Sequence, residues 1–436
     1  MKTYSHERLA ALARDRGMSD EYLRDLRIVS SVLPFKVNEY VADQLVDWSA
    51  APDDPIFRLT FPHRDMLPPE IFDGIRALHE ADAPRDVLRK AAADAQELLN
   101  PHPGDQLEAN VPTLDGRRLD GLQHKYAETL LVFPSQGQTC HAYCGYCFRW
   151  AQFVGVAELR QALRAPADLT GYLTAHPEVT DVLFTGGDPM IMKTEVLKRW
   201  IEPLLTPAME GVRTLRFGTK ALSYWPARFT ADSDADDLLR LLERCVAAGR
   251  HVAVMAHFSH PRELETPVVR EAIARVRATG AVIRAQAPLI AHVNDSADVW
   301  ASMWQQLVEL GVVPYYMFVE RDTGARSYFG VPLAKALDIY NDAIRGVSGL
   351  ARTARGPVMS AAPGKVLLDS VCTVAGERVF SLRLLQARDP RLVGRQFFAR
   401  YDPAAEWFDD LRPAAGSWFP GLPDPEAQRP SGAGGR

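Results

Sequence analysis

An α/β fold built on parallel strands is predicted for this chain, and three observations predict it. Short apolar, β-rich runs alternate with helical stretches from about residue 129 onward. The runs are apolar on both faces, as buried parallel strands require. The stretches between them, such as TEVLKRWIEPLL, ADDLLRLLERCVAAG, VVREAIARVRATG and DVWASMWQQLVELG, are long enough to serve as crossover helices. Six strands are expected, at 130–133, 182–185, 214–217, 252–257, 282–287 and 314–319. Six fall short of the eight in a closed barrel, so the expectation is an open, partial (β/α)6 barrel. In such folds the chemistry gathers at the C-terminal strand ends. ELRQALRA is read as the helix between the first two strands.

The flanking segments read differently. Residues 1–115 carry helix formers with apolar residues three and four apart, broken by PDDP, LPPE and PHPGD. They form a helical N-terminal region with no catalytic signature, a cap or docking region. Residues 116–347 hold the barrel and end in a helix at 334–347. Residues 348–412 form a small C-terminal β/α extension, with GKVLLDSVCTV and ERVFSLRLL pairing around Ala375-Gly376. The tail, 413–436, is rich in Pro, Gly and small residues, and disorder is expected there.

Composition narrows the function. Hydrophobic residues make up 47% and charged residues 24% of the 436 residues, an ordinary globular balance. The net charge of −5 provides no basic field for nucleic acid or an anionic membrane. No apolar run approaches the ~18 residues that span a bilayer, and the N-terminus lacks a signal-peptide apolar stretch. A cytoplasmic protein acting on a small molecule is expected.

Five cysteines are too few for a disulfide scaffold, and their placement is uneven. Cys140, Cys144 and Cys147 fall within eight residues, in the loop after the first strand. Three thiolates there can each bind one iron of a four-iron, four-sulfur cluster, leaving the fourth iron open to a substrate or cosubstrate. Structural zinc is the competing reading. It wants four ligands, no second CxxC exists, and His141 adjoins Cys140 too closely to join the same metal.

The CxxxCxxC spacing, with Tyr146 before the last cysteine, resembles the signature of radical SAM enzymes. The resemblance implies a TIM-like partial barrel and a [4Fe-4S] cluster on Cys140, Cys144 and Cys147. The open iron would take S-adenosylmethionine (SAM), whose reductive cleavage yields a 5′-deoxyadenosyl radical that abstracts a substrate hydrogen. Thr185-Gly186-Gly187-Asp188-Pro189 is similar to the motif whose backbone contacts the SAM methionine, which implies cofactor-binding roles for Gly186, Gly187 and Asp188. Within that superfamily the chain most resembles the lysine 2,3-aminomutase group. The matching pieces run in order: LQHKY (122–126), Phe148-Arg149, TDVLFTGGDP (180–189), AHFSHPRE (256–263), Asn294-Asp295 and VPYYMF (313–318).

That resemblance carries expectations about the pocket. In the group, pyridoxal phosphate joins the substrate amine, and an Arg just after the last cluster cysteine holds the substrate carboxylate. Arg149 matches that position, and a guanidinium suits a carboxylate. Trp150-Ala151-Gln152 departs from the usual run of further arginines. Lys365, in Ala362-Pro363-Gly364-Lys365, is the local match for the pyridoxal lysine. The longer glycine run before it is missing, so a vestigial or absent pyridoxal site is expected beside an active radical SAM centre, with the cofactor role of Lys365 and an ordinary strand-edge lysine as the two readings of that residue. Lys125 matches a basic residue near that cofactor. Where the group uses acids to bind the distal ammonium of lysine, this chain has Arg321 and Ala361, which argues against free lysine as substrate.

His257 and Gln286, at the ends of the fourth and fifth strands, are candidates for orienting SAM or substrate, and His260 lies nearby. Asn294-Asp295 is expected to cap the helix that follows. Cys245 reads as core. Cys372 is a candidate hydrogen-atom donor with a buried strand residue as its alternative. The expected activity is that of an aminomutase-like radical SAM isomerase acting on a carboxylate-bearing substrate. The alternative is a pyridoxal-independent epimerase, dehydrogenase or other modifying enzyme. An electron donor such as flavodoxin or ferredoxin is the implied partner, and a homo-oligomer is compatible with the sequence.

Overall fold

The computed structural model describes residues 1–101, 110–154, 161–414 and 418–421. The greater part of the tail expected at 413–436 lies outside them. One eleven-stranded mixed sheet organises the chain. Its strands, in both chain and spatial order, are β1 (Leu122–Tyr126), β2 (Thr129–Val132), β3 (Asp181–Phe184), β4 (Thr214–Thr219), β5 (His251–His257), β6 (Val282–Leu289), β7 (Val313–Val319), β8 (Arg355–Ser360), β9 (Gly364–Val374), β10 (Glu377–Ala387) and β11 (Gln396–Arg400). Strands β2 to β8 run parallel, and β1 and β9 to β11 pair antiparallel. All six expected strands are present, and the sheet continues beyond them on both sides.

The parallel strands alternate in burial. Val182, Phe184, Leu215, Phe217, Val252, Val254, Ile283 and Ala285 point to one face and join the crossover helices in the largest apolar core. Those helices include Thr194–Ile201, Ala235–Ala247, Pro267–Ala278, Ala297–Glu309 and Leu333–Arg345. Cys245 is fully buried in this core, as its helical setting predicts. The helix described between β2 and β3 is Pro166–Ala175; the first three residues of ELRQALRA, 158–160, lie outside the described residues. Pro166 pre-sets the helical φ, while Ala165 before it is held extended. The described part of ELRQALRA runs past β2 instead and bridges Leu163 to Pro134.

The opposite face of the sheet carries polar and aromatic residues, among them Asp181, Arg216, His257, Gln286, Tyr316 and Phe318, with Arg216 paired to Asp181. The β1 edge of the sheet meets residues of its later strands. Lys125 of β1 donates to the carbonyl of Ala361, just after β8, at 2.6 Å. Gln386 of β10 reaches Glu128 at 3.4 Å.

A second core joins the N-terminal helices Glu7–Asp15, Asp20–Val32 and Pro69–Glu80 to Ala142, Trp150 and Phe329. A third lies under the β9–β10 hairpin, against Trp407, Phe408 and Phe419. No helix among the described residues is long and apolar enough to cross a membrane.

Candidate radical centre and adjoining cavity

The cysteine loop leaves the C-terminal end of β2 and is braced from the N-terminal region. The Tyr143 amide donates to the Lys36 carbonyl at 2.8 Å, and the Gly145 amide to the Leu59 carbonyl at 2.7 Å. The Lys36 ammonium donates to Thr139 Oγ1 and the Cys140 carbonyl, both at 2.9 Å, and lies over the Tyr143 ring. The N-terminal region therefore holds the loop that carries the thiols. Sequence reasoning missed Lys36, because a lone lysine 103 residues before its partner carries no local signal.

Cys140, Cys144 and Cys147 are half-buried and free of disulfides. Burial pushes the Cys144 thiol up to about 12 and the Cys147 thiol to about 11. Cys144 and Cys147 both raise Cys140 further, so the three sulfurs share one neighbourhood. Such thiols become good ligands only when a metal displaces their protons.

The GGD segment packs directly on this loop. The Asp188 amide donates to the Thr139 carbonyl at 2.9 Å. A Cβ built on Gly187 would stand 2.3 Å from that same oxygen and 2.5 Å from the Thr139 nitrogen and carbonyl carbon. Glycine is required there by the loop's own backbone, which sequence alone assigned to SAM. Gly186 sits at φ +140, a conformation that side chains disfavour. The Asp188 carboxylate is buried and accepts from Thr219 Oγ1 at 2.7 Å, the amides of Met190 and Lys220 at 2.9 Å, and His141 Nε2 at 3.2 Å. Burial would raise its pKa, but these bonds and the His141 side chain hold it below the ordinary value. Asp188 thus ties the cysteine loop to the end of β4.

Beside that tie lies a second buried group that sequence reasoning did not name. The Lys220 ammonium contacts both oxygens of Glu263, at 2.9 and 3.1 Å, and Ser259 Oγ at 3.3 Å. Ser259 Oγ in turn meets the Tyr146 hydroxyl at 3.3 Å. Glu263 is fully buried. The signal was present in HPRE, where Glu263 was quoted only as part of a motif.

His257 and Gln286 are brought together: the Gln286 amide donates to His257 Nε2 at 2.9 Å. Burial and the nearby Lys220 cation pull His257 down to about 4, so it is neutral near pH 7. His260 accepts from the Arg262 amide and caps a short turn. Asn294 does not cap the helix Ala297–Glu309; Ser296 occupies that position. Asn294 is instead buried and accepts from the Ile290 amide while donating to the carbonyls of Ser259 and Pro288.

A cavity of about 130 Å³ opens next to the cysteine loop, lined in part by Phe148, Arg149, Gln152, Lys125, Arg321, Ser360, Ala361 and Arg388. Arg149 lies 4.1 Å over the Phe133 ring, and burial together with the neighbouring Arg321 cation brings its guanidinium down to about 10. Arg149, Arg321, Ala361 and Lys125, all singled out from the sequence, therefore line one space. Lys365 does not line it. Its ammonium lies 4.7 Å over the Tyr316 ring, and burial plus the cations of Arg216, Lys125 and Arg355 push it down to about 7. Cys372 is placed away from the cavity. It pairs with Val379 in the distal half of the hairpin, about 23 Å along β9 from Lys365. Cys372 is not among the residues that line this cavity, so the structure does not bring it together with Arg149 as the sequence reading expected.

A scan of family models finds no match. Among curated proteins, the chain is 29% identical over 391 residues to an Aquifex aeolicus protein named "Putative L-lysine 2,3-aminomutase", covering 90% of this chain and 91% of that one. It is 28% identical over 293 residues to the L-lysine 2,3-aminomutase of Escherichia coli, covering 66% of this chain and 80% of that protein. Among solved structures, a radical SAM methyltransferase from Sphaerobacter thermophilus aligns over 64% of this chain and 91% of that one, at 15% identity and a TM-score of 0.38, a likeness too slight to build on. The relatives make this chain an enzyme of the radical SAM class. Along most of its length the chain is similar to proteins of the lysine 2,3-aminomutase group.

Proposed function

We propose that this chain is an aminomutase-like isomerase that uses SAM as its radical source and acts on a carboxylate-bearing substrate other than free lysine. The observation that carries the reading is the cation-lined cavity opening beside the three-cysteine loop. The sheet would act as an open six-stranded partial barrel extended by its flanking strands, with the chemistry at the ends of β2 to β7.

The residues present suit a [4Fe-4S] cluster. Three thiols share one braced loop, and none is spent in a disulfide. Cys140, Cys144 and Cys147 would hold it, with SAM near Gly186 and Gly187. When bound, the pair supplies the reductive cleavage that produces a 5′-deoxyadenosyl radical for hydrogen abstraction. The protein's part is placement. Lys36 and Asp188 fix the loop, and Arg149 receives the substrate carboxylate. The neutral His257–Gln286 pair offers hydrogen bonds without adding charge.

Lys365 has the main property a pyridoxal-binding lysine needs, an amine made partly neutral by burial and neighbouring cations. This supports keeping pyridoxal phosphate in the reading more strongly than the shortened glycine turn suggests. Lys365 would hold the cofactor, with Lys125 near its phosphate. When bound, the cofactor carries the migrating amino group. Gly364 offers no wrap of its own. Its Cβ position is filled by the Gln386 carbonyl at 2.0 Å, so the strand pairing demands that glycine.

The test is anaerobic cluster reconstitution followed by dithionite and SAM. The wild-type protein should form 5′-deoxyadenosine, and the triple Cys→Ala variant should not. Borohydride reduction with pyridoxal phosphate should leave a stoichiometric adduct on Lys365. Deoxyadenosine formation by the triple variant would sink the assignment of the cluster, and an unlabelled Lys365 would remove amino-group migration from the reading.

A further inference from the structure

The side of β1 turned away from the cavity carries a cluster of ligating side chains. Lys125 lines the cavity, so by strand alternation His124 leaves the other side of the strand. It packs there against the helix Pro166–Ala175. Its ring lies edge to face with Tyr172 at 5.8 Å and with His176 at 5.7 Å. His176 directly follows that helix and stacks on Tyr172 at 4.1 Å. Pro177 then turns the chain, and the Val179 amide donates to the His176 carbonyl at 3.1 Å. The turn returns Glu178 to the His176 ring, where Oε1 accepts from Nδ1 at 2.9 Å.

The hydrogen bonds fix which nitrogen of His124 can act as a ligand. Its Nε2 lies 3.0 Å from the Ala127 carbonyl oxygen, which can only accept, so Nε2 carries the proton. In the neutral ring Nδ1 then keeps its lone pair, and the Tyr172 hydroxyl donates to it at 2.7 Å. A ring that gives one N–H to a backbone carbonyl and presents the other nitrogen's lone pair has the arrangement that metal-binding histidines use. The hydrogen bond from His176 holds the Glu178 carboxyl below its ordinary value, so the third group is a carboxylate near neutral pH. One ligating atom from each of His124, His176 and Glu178 lies within 4.8 Å of the other two. Around a tetrahedral ion with bonds of about 2.0 Å such atoms would stand about 3.3 Å apart. The Glu178 side chain is 47% exposed, which leaves the carboxylate room to make that adjustment.

We propose that His124, His176 and Glu178 form a metal site on the outer side of β1, one that takes a divalent transition ion such as zinc with a water in the fourth position. The ion takes the place of the proton between His176 Nδ1 and Glu178, and that proton moves to Nε2 of the same ring. On His124 the ion takes Nδ1 over from the Tyr172 hydroxyl. Two imidazoles and one carboxylate suit zinc better than magnesium or calcium, which prefer oxygen ligands alone. The ion clamps β1 to the crossover helix from outside, opposite the side on which Lys125 reaches Ala361. The inference stands apart from the aminomutase-like reading and does not rest on it.

The experiment titrates zinc by calorimetry into the untagged full chain with its cluster reconstituted, and follows the iron content throughout. The wild-type protein should take up one zinc per chain without losing iron. His124→Ala, His176→Ala and Glu178→Gln should each weaken that binding at least about tenfold. Glu178→His keeps three ligands and should bind zinc at least as tightly as the wild type, a result that neither a misfolded protein nor a plain His176–Glu178 ion pair would give. Zinc K-edge absorption should show nitrogen and oxygen neighbours at about 2.0 Å and no sulfur at about 2.3 Å, which separates this site from zinc held by cysteines stripped of their cluster. Millimolar magnesium should not displace the zinc. Zinc should raise the thermal midpoint of the wild type and leave that of His176→Ala unchanged. No zinc uptake by the wild type, unaltered affinity in the Ala and Gln variants, or sulfur beside the zinc would each overturn the proposal and leave His176 and Glu178 as an ion pair at the end of the helix.

Discussion

Replacing Gly187 by alanine should damage the cysteine loop before it touches SAM. The added methyl would sit 2.3 Å from the Thr139 carbonyl oxygen and 2.5 Å from its nitrogen and carbonyl carbon. Those are backbone atoms, so no side-chain rotation relieves the overlap; the two segments must separate by roughly an ångström to restore van der Waals contact. Separation breaks the 2.9 Å bond from the Asp188 amide to the same Thr139 oxygen. Losing a buried backbone bond costs about 1 kcal/mol, and overpacking a tight site costs about 1–3 kcal/mol, so the total is about 2–4 kcal/mol. Thr139 is the residue immediately before Cys140, so the first thiol moves with it. Two assays follow. Urea titration should show the lowered midpoint without SAM present, and reconstitution should yield less iron per chain than the wild type. A protein of wild-type midpoint and iron content, with only SAM binding impaired, would refute this account and return the glycine's role to the cofactor.

Three further outcomes follow from the buried charges. Lys220→Met should cost about 3–5 kcal/mol, because it strands the fully buried Glu263 carboxylate, and adding Glu263→Gln should recover much of that loss; a neutral single variant would mean that the pair is not holding the site. His257 titrates near 4 in the native protein against an ordinary 6.5, so the unfolded chain binds a proton that the native one refuses between those values. Stability should therefore fall as pH drops from 6.5 towards 4, by up to about 1.4 kcal/mol per pH unit from this residue. His257→Gln should flatten that slope in urea titrations at successive pH values, and an unchanged slope would assign the effect elsewhere. Lys365, with its amine lowered to about 7, should be reductively methylated well below the pH at which surface lysines react. Peptide mass spectrometry across pH 6–10 reads the midpoint, and reaction only above pH 9 would contradict the environment described for it.

The central strands and the cysteine loop were legible in the sequence because both are local patterns. Apolar runs of four to eight residues bounded by amphipathic helices leave little choice of element, and three thiols within eight residues mark a candidate ligand set by spacing alone. What escaped was non-local. Strand β8 contains Pro357, which reads as a breaker, yet the strand still pairs with β7 and β9. The bracing of the loop by Lys36, the burial of Glu263 and the service of Asn294 to Ser259 depend on partners 35 to 104 residues away. Gly187 was singled out correctly as a position that excludes a side chain, but the excluded volume belongs to the protein itself. Lys365 was weighed by the glycines missing before it. Its amine is set instead by Tyr316, Arg216 and Arg355, residues brought to it by strands distant in sequence.

The junction between the first and later strands of the sheet has a consequence for how the molecule is assembled. Every bond described for the cysteine loop comes from residues before Pro261, so its supports exist once little more than half of the chain has emerged from the ribosome. The cavity wall is different. Ser360, Ala361 and Arg388 come from the last fifth of the chain, and the bond from Lys125 to Ala361 closes a loop of 236 residues. Contacts of such long sequence separation form late, after the entropy of closure has been met. A nascent chain would thus pass through a stage in which the thiols are already gathered while the space for substrate has no far side. On the proposed function, metal loading and substrate recognition would in this way be separated in the history of each molecule, and a chain truncated after β7 should keep the first capacity and lack the second.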